Sequence, residues 1–375
     1  MRVVSQQRIL VVGGGITGMA AAIALAQNGH AVDLIEEDSD WKALGAGLTV
    51  LGSTLRALSH LGIVEEVLAQ GYFAFGNDIY HASGRKLFER EGMQMPDCSL
   101  PNAGGILRPV LHRILQARVR DLGIEVALGL TYRDFFHDDE GVNFTFSDGS
   151  SEQYDFAVVA EGLNSRMRGV LFPDAPKPTF TGQGCWRLLH PRPDTIPRSA
   201  FYVGGHVTVG TVPVSDAEMY VWVLEHVPDN PWIAPEDQPT RLRSLIADFG
   251  GEVGNLRDSI GPESSIVYRP LEALLLPAPW HSGRILMMGD SVHATSPHLA
   301  SGAGAGVEDG VVLAEELERA DSIPVLFDAF MARRFDRCRL VVEGSIEIGE
   351  AEMAGESSRI NELMTKAQAA LAMPF

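Results

Sequence analysis

The sequence predicts an α/β fold in which a Rossmann-like nucleotide-binding domain carries an inserted, mostly antiparallel β-sheet domain and ends in a C-terminal helical segment. Three observations support this prediction. A βαβ pattern with a glycine-rich turn occupies residues 8–38. Prolines and alternating apolar residues recur between about 172 and 275, as in antiparallel sheets. A buried-strand pattern then returns at 285–288, before a glycine-rich helix start and a helical remainder.

These patterns divide the 375-residue chain into four stretches. Residues 1–171 form the nucleotide-binding domain, and part of them, near 72–107, joins the sheet on the substrate side. Residues 172–278 form the inserted substrate domain, 279–340 return to the first domain, and 341–375 form the helical segment. A chain of this length can bury a large core shared by two intimately joined domains.

The first βαβ unit carries the spacing G-x-G-x-x-G at Gly13, Gly15 and Gly18. Gly13 permits the tight turn out of the strand, and Gly15 has no side chain to keep a pyrophosphate away from the backbone. Gly18 lets the helix lie close to the sheet. The sequence therefore predicts a binding site for an adenine dinucleotide.

Two further features of this unit favour the same site. The helix begins near Ile16 and Thr17, where free N–H groups attract phosphates. Glu36 ends the second strand, where an acid accepts hydrogen bonds from a ribose diol. Residues 9–26 are apolar for nearly the length of a membrane span, but three consecutive glycines and a polar ending disfavour a membrane helix or a signal peptide.

Composition restricts the partners and the compartment. The net charge is −19 and the pI is about 4.9, so an acidic surface disfavours nucleic acid and anionic membranes. Cys98, Cys185 and Cys338 lie far apart, which fits a reducing cytoplasm and excludes a disulfide framework or a zinc knuckle. We expect a cytoplasmic monomer or homodimer with no integral membrane association.

The remaining elements follow in order. Pro109 suits the first turn of a helix that Arg108 precedes, and alternating strands fill 124–160. One helix, Thr240 to Phe249, interrupts the inserted sheet. A strand then ends on Asp290, and Pro297 leads to glycines that open a helix as a second cradle for an anion or a ring edge. No Lys-Ser or Lys-Thr follows these glycines, so they do not form a nucleotide-triphosphate P-loop.

Three separated motifs together resemble the FAD-dependent aromatic hydroxylases, the single-component flavoprotein monooxygenases of the para-hydroxybenzoate hydroxylase type. The first is the GxGxxG unit with Glu36. The second resembles the family's G-A-D-G-x-x-S-x-x-R segment, at Val159–Arg168, and the third its G-R-x-x-L-x-G-D-A-x-H-x-x-x-P segment, at Gly283–Pro297. Arg108, Leu111 and Leu115 also match the family's R-x-x-L-x-x-x-L. The resemblance spans about residues 8–340. The run from Pro297 to Asp309 looks closest to members that act on pyridine-type rings.

The resemblance implies roles for the matched positions. Non-covalent FAD would lie with its ADP half on the GxGxxG unit and Glu36, and Arg108 would reach its phosphate or ribityl region. Asp290 would bind a ribityl hydroxyl, while Pro297 and Gly302–Gly304, with Ala303 between the glycines, would line the isoalloxazine edge. The chain departs from the family pattern at Glu161, which replaces an aspartate implicated in FAD and coenzyme contacts, and at Ser301, which replaces a glutamine.

The implied reaction is hydroxylation of an aromatic or heteroaromatic small molecule. NADH or NADPH, bound transiently, would reduce FAD, and O2 would add at the flavin C4a to give a hydroperoxide that transfers one oxygen to the ring. His206, Tyr202 and Tyr220, on alternating strands of the inserted sheet, are the candidates for positioning or deprotonating the substrate, together with Thr49 and Pro297 beside the flavin.

Other interpretations of these residues and of the chain stay open. His206 fits equally well as an ordinary solvated or core histidine, and Trp186 and Trp222 are more typical of a core than of a ring-stacking site. The loop spacing of His293 and His298 matches no metal-ligand pattern, so no metal is expected. An FAD-dependent reductase or dehydrogenase of the same fold, or a non-catalytic flavin-binding protein, are the alternative functions.

Overall fold

The structure is a computed structural model that describes residues 6–43, 45–92, 95–96, 98–138, 140–229 and 231–375. Its strands, in chain order, are β1 Arg8–Val12, β2 Ala31–Glu36, β3 Gly47–Leu51, β4 Tyr72–Ala74, β5 Asn77–His81, β6 Lys86–Arg90, β7 Ala103–Leu107, β8 Glu125–Leu128, β9 Tyr132–His137, β10 Val142–Phe146, β11 Ser151–Tyr154, β12 Phe156–Val159, β13 Thr179–Pro191, β14 Ala200–Val203, β15 Thr208–Pro213, β16 Glu218–His226, β17 Ile266–Ala273, β18 His281–Ser282 and β19 Ile285–Met287. Its helices are α1 Ile16–Gln27, α2 Gly52–His60, α3 Val64–Gln70, α4 Arg108–Asp121, α5 Arg166–Leu171, α6 Gln238–Leu245, α7 Gly251–Ser259, α8 Asp290–His293, α9 Gly302–Leu317, α10 Ile323–Met353 and α11 Ser357–Ala372.

The nucleotide-binding sheet has six strands in the order β18-β19-β12-β1-β2-β8. Strands β19, β12, β1, β2 and β8 run parallel, and β18 joins as a short antiparallel edge. Ile9, Val11 and Val158 are fully buried in its centre, as is usual for the strands of a parallel sheet. Where one of these strands leads into a predicted cofactor residue, that residue lies at the carboxyl edge of the sheet. This edge is the usual ligand edge of such a sheet.

Helices α1 and α9 pack across one face of this sheet with very small residues between them. A Cβ on Gly306 would lie 2.1 Å from Oγ1 of Thr17, and one on Gly310 would lie 2.6 Å from the Ala21 nitrogen. The two glycines are four residues apart and share one helix face, so the helix axes can approach closely. This packing brings the start of α9 beside the start of α1.

The inserted sheet has seven strands in the order β17-β13-β16-β15-β14-β5-β6. Its last two strands come from residues 77–90, and β5 pairs in parallel with β14. One face is covered by α6 and α7 around Leu242, Val253 and Trp186. The opposite face turns toward the nucleotide-binding part: a Cβ on Gly47 would lie 2.6 Å from the Cβ of Tyr220.

Two smaller sheets are also present in the described part of the chain. Strands β11-β10-β9 form an antiparallel sheet around Phe144, whose ring contacts Tyr132 and Phe146. Strands β3-β7-β4 form another, and this sheet carries the Gly47 contact to the inserted sheet. It therefore links the two larger parts of the fold.

The structure corrects one sequence expectation and bears on another. The helix predicted for 240–249 is α6, which ends earlier, at Leu245, and a second helix that was not predicted, α7, begins at Gly251, where φ is +60°. The predicted boundary at residue 340 lies inside the continuous helix α10. Among the described residues, none of the helices combines the length and apolar character needed to span a membrane.

Candidate active site

The turn between β1 and α1 is shaped by three glycines with different surroundings. Gly13 has a φ of +104°, and a Cβ there would lie 2.5 Å from the carbonyl oxygen of Ala160. A Cβ on Gly18 would lie 1.8 Å from the carbonyl oxygen of Gly13, so helix and turn are in direct backbone contact. Gly15 has open space where its Cβ would be. The turn therefore leaves room for a ligand at Gly15 only.

The start of α1 presents backbone donors into that space. Ile16 and Thr17 are half-buried, and no side chain caps the helix at Gly15. The first N–H groups of a helix have no acceptor within the helix itself, and the helix dipole adds positive character. The geometry fits a pyrophosphate.

Glu36 lies at the end of β2 and holds the turn as well as facing the site. Its Oε2 accepts a 2.6 Å hydrogen bond from the Gly14 nitrogen, and its Oε1 accepts one of 2.8 Å from the Asp38 nitrogen. Each carboxylate oxygen has a second lone pair, so a ribose diol can still donate to this half-buried group.

Glu161 turns toward α5. Its Oε2 accepts hydrogen bonds from Ser165 Oγ at 2.6 Å and from the Met167 nitrogen at 3.0 Å. The carboxylate thus satisfies a free N–H group of the first turn of α5, as an N-terminal cap does.

A second loop lies beside the first at α8. The Gly162 nitrogen donates to Ser291 Oγ at 3.1 Å, and the buried Arg168 donates to the carbonyl oxygens of Ser291 and Leu163 at 2.9 and 2.8 Å. These bonds fix the segment after β12 to the segment after β19. The two strand ends consequently form one rigid wall.

Asp290 and Arg108 both reach the site without protein partners. Both residues are exposed, and among the described residues neither side chain has a hydrogen bond or an ion pair. Desolvation by the surrounding protein raises the pKa of the Asp290 carboxyl group, while the positive charges of His293 and Arg108 lower it. Arg108 lies over the glycine loop before β3, since a Cβ on Gly45 would be 3.2 Å from its Cδ.

FAD fits this set of groups. It requires an open backbone turn for its pyrophosphate, a cation near the phosphates and an acceptor for its ribityl hydroxyls, and Gly15, Arg108 and Asp290 supply these chemistries. As an exposed anion and cation without protein partners among the described residues, Asp290 and Arg108 are free to bind a ligand.

The loop before α9 carries the residues that were predicted to line the edge of the isoalloxazine ring. Pro297 is exposed at the start of a 3₁₀ turn, and Gly302 and Ala303 are half-buried in the first turn of α9. Gly304 is buried, and a Cβ there would lie 2.2 Å from Oγ1 of Thr54. Pro297, Gly302 and Ala303 are thus available to a ligand, whereas Gly304 serves the packing of α9 on α2.

The structure separates the predicted substrate residues. Tyr220 lies on the sheet face that meets Gly47, and Thr49 lies on the same side of β3 two residues further on. Tyr202 is on the opposite, helix-covered face. Its cross-strand partner Val209 and the partner of Tyr220, Val212, are an odd number of positions apart on β15 and therefore point to opposite faces. Placing Tyr202 with Tyr220 was therefore wrong.

His206 also differs from its expected place. It lies in the exposed turn between β14 and β15, not on a strand. Glycines at 204 and 205 end β14 before the histidine is reached, and Gly204 has a φ of +81°. His206 therefore stays a candidate for the substrate site only as a residue at the rim of the sheet.

Sequence reasoning missed Arg187. It stands on β13 on the face of Tyr220, is half-buried, and donates from Nε to the Tyr220 hydroxyl at 3.2 Å. Burial raises the pKa of the Tyr220 phenol, which therefore keeps its proton. An alternating strand pattern with an arginine at an inward position was the signal that could have identified it.

A buried charge network beneath Asp290 was also missed. Asp309 accepts from the Gly289 nitrogen at 3.0 Å and from Arg334 Nε at 2.8 Å, and its Oδ2 lies 2.7 Å from His293 Nε2. Ligand atoms of His293, Asp309 and Cys338 lie within 4.8 Å of one another, a spacing compatible with a metal. The Arg334 guanidinium already neutralises this carboxylate and would repel a metal ion, so the cluster is a structural ion network.

Comparison with known proteins gives the family. The sequence profile of the FAD binding domain family matches residues 6–345. YetM of Bacillus subtilis, named as an FAD-dependent monooxygenase, is 29% identical over 352 residues, which are 93% of this chain and 95% of YetM. The 2-heptyl-3-hydroxy-4(1H)-quinolone synthase of Pseudomonas aeruginosa is 29% identical over 313 residues, 82% of this chain and 79% of the synthase.

A solved structure shows the same fold. HpxO of Klebsiella pneumoniae, complexed with FAD and uric acid, superposes with a TM-score of 0.84 at 22% identity and covers 98% of this chain and 95% of its own. The predicted α/β fold with a Rossmann-like FAD-binding part is thereby confirmed. The chain belongs to the FAD binding domain family and is an FAD-dependent monooxygenase of the aromatic hydroxylase type, as the resemblance implied.

Proposed function

We propose that the enzyme uses NADH or NADPH and O2 to hydroxylate a small heteroaromatic ring that carries nitrogen. The observation that carries the proposal is the contact between Tyr220 and Gly47, which sets the aromatic face of the inserted sheet directly against the loops of the cofactor site. The quinolone named for one relative and the uric acid bound by HpxO support a ring of this class.

Each part of the site has a proposed task. The turn at Gly13, Gly15 and Gly18 binds the pyrophosphate, Glu36 the adenosine ribose and Asp290 a ribityl hydroxyl. Arg108 neutralises phosphate or ribityl oxygens. When bound, FAD supplies the transfer of electrons from the coenzyme and the activation of O2.

The inserted sheet and the loop at Pro297 would enclose the substrate. Pro297, Gly302 and Ala303 border the ring edge of the cofactor, while Thr49 and Tyr220 face the space beside it. Because Arg187 donates to the Tyr220 oxygen, the phenolic proton of Tyr220 is free to point at the substrate. The apolar residues of this face would keep water away from the reacting ring.

We further propose that the predicted stretches have separate functions. Residues 172–278 form the substrate domain, and strands from 72–107 are added to it. Cys98, Cys185 and Cys338 are free thiols, which supports a cytoplasmic, reducing location. We also propose that the enzyme is a monomer or a homodimer, and gel filtration coupled to light scattering would distinguish these two states.

The test is turnover by purified, FAD-loaded enzyme. NADH and NADPH oxidation is followed with pyridines, quinolines, purines, indoles and benzoates, and products are analysed by mass spectrometry under ¹⁸O2. We expect one class of ring to accelerate coenzyme oxidation and to gain one ¹⁸O atom.

Two other outcomes would reject the proposal. Coenzyme oxidation that depends on a ring compound but leaves no ¹⁸O in the product would identify a reductase or dehydrogenase. A protein that binds FAD and is never stimulated by any ring compound would be a flavin-binding protein without turnover.

A further inference from the structure

The loop at Pro297 lies along one face of the long helix α10. Thr295 Oγ1 donates a hydrogen bond to the carbonyl oxygen of Val341 at 3.2 Å. A Cβ on Gly349 would lie 3.0 Å from Cε1 of His298, so this imidazole comes close to the helix backbone. Residues 341 and 352 are about three turns apart and share one face of the helix. The helix therefore supports the loop along several turns.

His298, the residue after Pro297, connects this loop to Glu352 of α10. Its side chain is only 3% exposed, with Nδ1 2.9 Å from Ser296 Oγ and Nε2 3.3 Å from Glu352 Oε2. A carboxylate has only acceptors, so the contact with Glu352 is favourable when Nε2 carries a proton. Among the described residues, Nε2 has no hydrogen bond to any other group. Without the carboxylate, a buried N–H group would be left unpaired.

The inserted sheet contacts the same carboxylate. Thr208 Oγ1 on β15 donates a hydrogen bond to Oε1 of Glu352, and Gln183 Nε2 on β13 donates one to Oε2 at 3.2 Å. A Cβ on Gly349 would lie 2.7 Å from Gln183 Oε1, so the missing side chain lets the sheet and the helix meet. One carboxylate thus joins the sheet, the loop at Pro297 and α10.

Glu352 is negatively charged at neutral pH. Burial alone raises the pKa of its carboxyl group, but the contacts with His298, Thr208 and Gln183 outweigh burial and lower that pKa. Hydrogen bonds to an ionised carboxylate are stronger than those to a neutral group. The charge of Glu352 therefore strengthens the contacts on the loop and on the sheet together.

We propose that Glu352 is a positioning residue that holds the loop at Pro297 in a fixed place against the inserted sheet. His298 carries the contact to the loop, while Thr208 and Gln183 fix the carboxylate to the sheet. This inference rests on the proposed function, in which the loop borders the isoalloxazine ring. Glu352 itself acts on the cofactor only through His298.

The first test measures the bound flavin without substrate or coenzyme. Fluorescence titration of the apoprotein gives the Kd for FAD, and the visible circular dichroism of the loaded protein reports the surroundings of the flavin ring. Glu352→Gln removes the charge at nearly unchanged size. It should raise the Kd about fivefold or more and change the visible dichroism. Glu350→Gln, at an exposed glutamate of the same helix, is the matched control and should behave as wild type.

A substitution in the sheet alone tests whether the contact is transmitted to the loop. Thr208→Val removes the hydroxyl that donates to Glu352, and it should raise the Kd for FAD and change the flavin dichroism as well. Thr211→Val makes the same change on the same strand. The Thr211 hydroxyl is buried and has no hydrogen-bond partner among the described residues, so this control should leave the flavin signal unchanged.

Two further comparisons separate positioning from a general effect on stability. His298→Gln keeps an N–H donor for Glu352 and should retain most of the wild-type flavin signal, whereas His298→Leu should lose it. Because Thr208 and His298 both contact Glu352, the effects of Thr208→Val and His298→Leu on the Kd for FAD should be less than additive. Urea unfolding of each apoprotein shows that folded protein is titrated.

The outcomes separate this inference from the proposed function. The inference is overturned if Glu352→Gln keeps the wild-type Kd and dichroism, or if Thr208→Val and His298→Leu act additively. If Pro297→Ala changes the dichroism and Glu352→Gln does not, only the positioning role fails. If neither variant changes it, the loop does not border the flavin and that part of the proposed function fails as well. The expected flavin changes without any ¹⁸O incorporation would reject the hydroxylase and leave the positioning role standing.

Discussion

His293 Nε2 lies 2.7 Å from Asp309 Oδ2, and both side chains are buried directly beneath the turn that carries Asp290. Asp309 also accepts from the backbone nitrogen of Gly289 and from Arg334. One carboxylate therefore joins α8, α9 and α10 at the base of the cofactor site. The position of Asp290 depends on this buried ion network.

Replacing Asp309 by asparagine should strongly destabilise the protein. The substitution leaves the buried Arg334 and His293 charges without their shared counter-ion, a loss of about 3–5 kcal/mol in the free energy of unfolding for a buried pair. Urea unfolding of the apoprotein measures it. Asp336→Asn, which removes a carboxylate that is 81% exposed beside Arg339, is the control and should have almost no effect. Equal effects of the two substitutions would contradict the role of the network.

The same pair predicts a pH dependence of stability. Burial alone lowers the pKa of His293, but Cys338 and the Asp309 carboxylate outweigh it and raise that pKa well above the ordinary value. The protonated histidine then contributes stability that is complete below the unfolded pKa of about 6.5, and that is lost as the pH rises through the folded pKa. Each unit of elevation is worth about 1.4 kcal/mol.

The comparison of wild type with His293→Gln isolates this contribution. The difference in unfolding free energy between the two proteins, measured in urea from pH 5 to pH 9, should be largest at the acid end and shrink at the alkaline end. Asp309 stays ionised across this range because its pKa is lowered, despite its burial, by His293 and Arg334. A difference that is constant with pH would show that folding leaves the pKa of His293 unchanged, and a difference that grows toward alkaline pH would show that His293 is neutral in the folded protein.

Two neighbouring glycines should respond differently to alanine. Gly15 has free space at its Cβ position, so Gly15→Ala should leave apoprotein stability unchanged but weaken FAD binding about tenfold or more, equivalent to ~1.4 kcal/mol. Gly18→Ala would place a Cβ 1.8 Å from the Gly13 oxygen and should destabilise the apoprotein itself by about 1–3 kcal/mol. Thermal melts of the apoproteins and fluorescence titrations with FAD measure both effects. Undiminished FAD affinity in Gly15→Ala would place the pyrophosphate elsewhere.

Local sequence patterns were sufficient for the cofactor side of the fold. The turn at Gly13–Gly18, the acid at Glu36 and the strand that ends at Asp290 are each defined within a short segment, because backbone geometry there permits few residue types. The segments that follow three parallel strands necessarily meet at one sheet edge. Their convergence was therefore predictable without the structure.

The substrate side depended on information that short patterns do not contain. The face on which Tyr202 or Tyr220 lies follows from strand register, and register across a turn such as 204–207 cannot be counted from alternation alone, since one extra residue reverses the faces. His293, Asp309 and Arg334 are separated by 16 and 25 residues, and only the packing of three helices brings them together. Arg187 was inconspicuous because its partner stands 33 residues later.

Arg108 should matter to the cofactor and not to the fold. It is exposed and has no protein partner among the described residues, so Arg108→Met should leave the urea midpoint of the apoprotein unchanged. Loss of a charge-assisted hydrogen bond should raise the Kd for FAD about 10- to 100-fold. Arg113→Met, which removes another exposed arginine of the same helix, is the control and should bind FAD normally. Similar FAD affinities for the two variants would remove Arg108 from the site.

The two tyrosines of the inserted sheet provide the sharpest test of which face binds the substrate. Tyr202 stacks on Tyr80 at 5.1 Å beneath the helices, and its buried hydroxyl has no hydrogen-bond partner among the described residues. Tyr202→Phe should therefore leave kcat/KM unchanged and stability equal or slightly higher, since it removes an unsatisfied buried group. Tyr220→Phe takes away both the acceptor of Arg187 and a donor to the substrate, and should lower kcat/KM about tenfold or more, equivalent to ~1.4 kcal/mol of transition-state stabilisation.

Both variants are compared with wild type in steady-state assays on whichever ring compound stimulates coenzyme oxidation, with FAD content as the measure of intact folding. Because the two substitutions remove the same atom from the same residue type in one sheet, a difference between them reports the face and not the chemistry of the change. A loss of kcat/KM in Tyr202→Phe with normal activity in Tyr220→Phe would move the substrate to the helix-covered face.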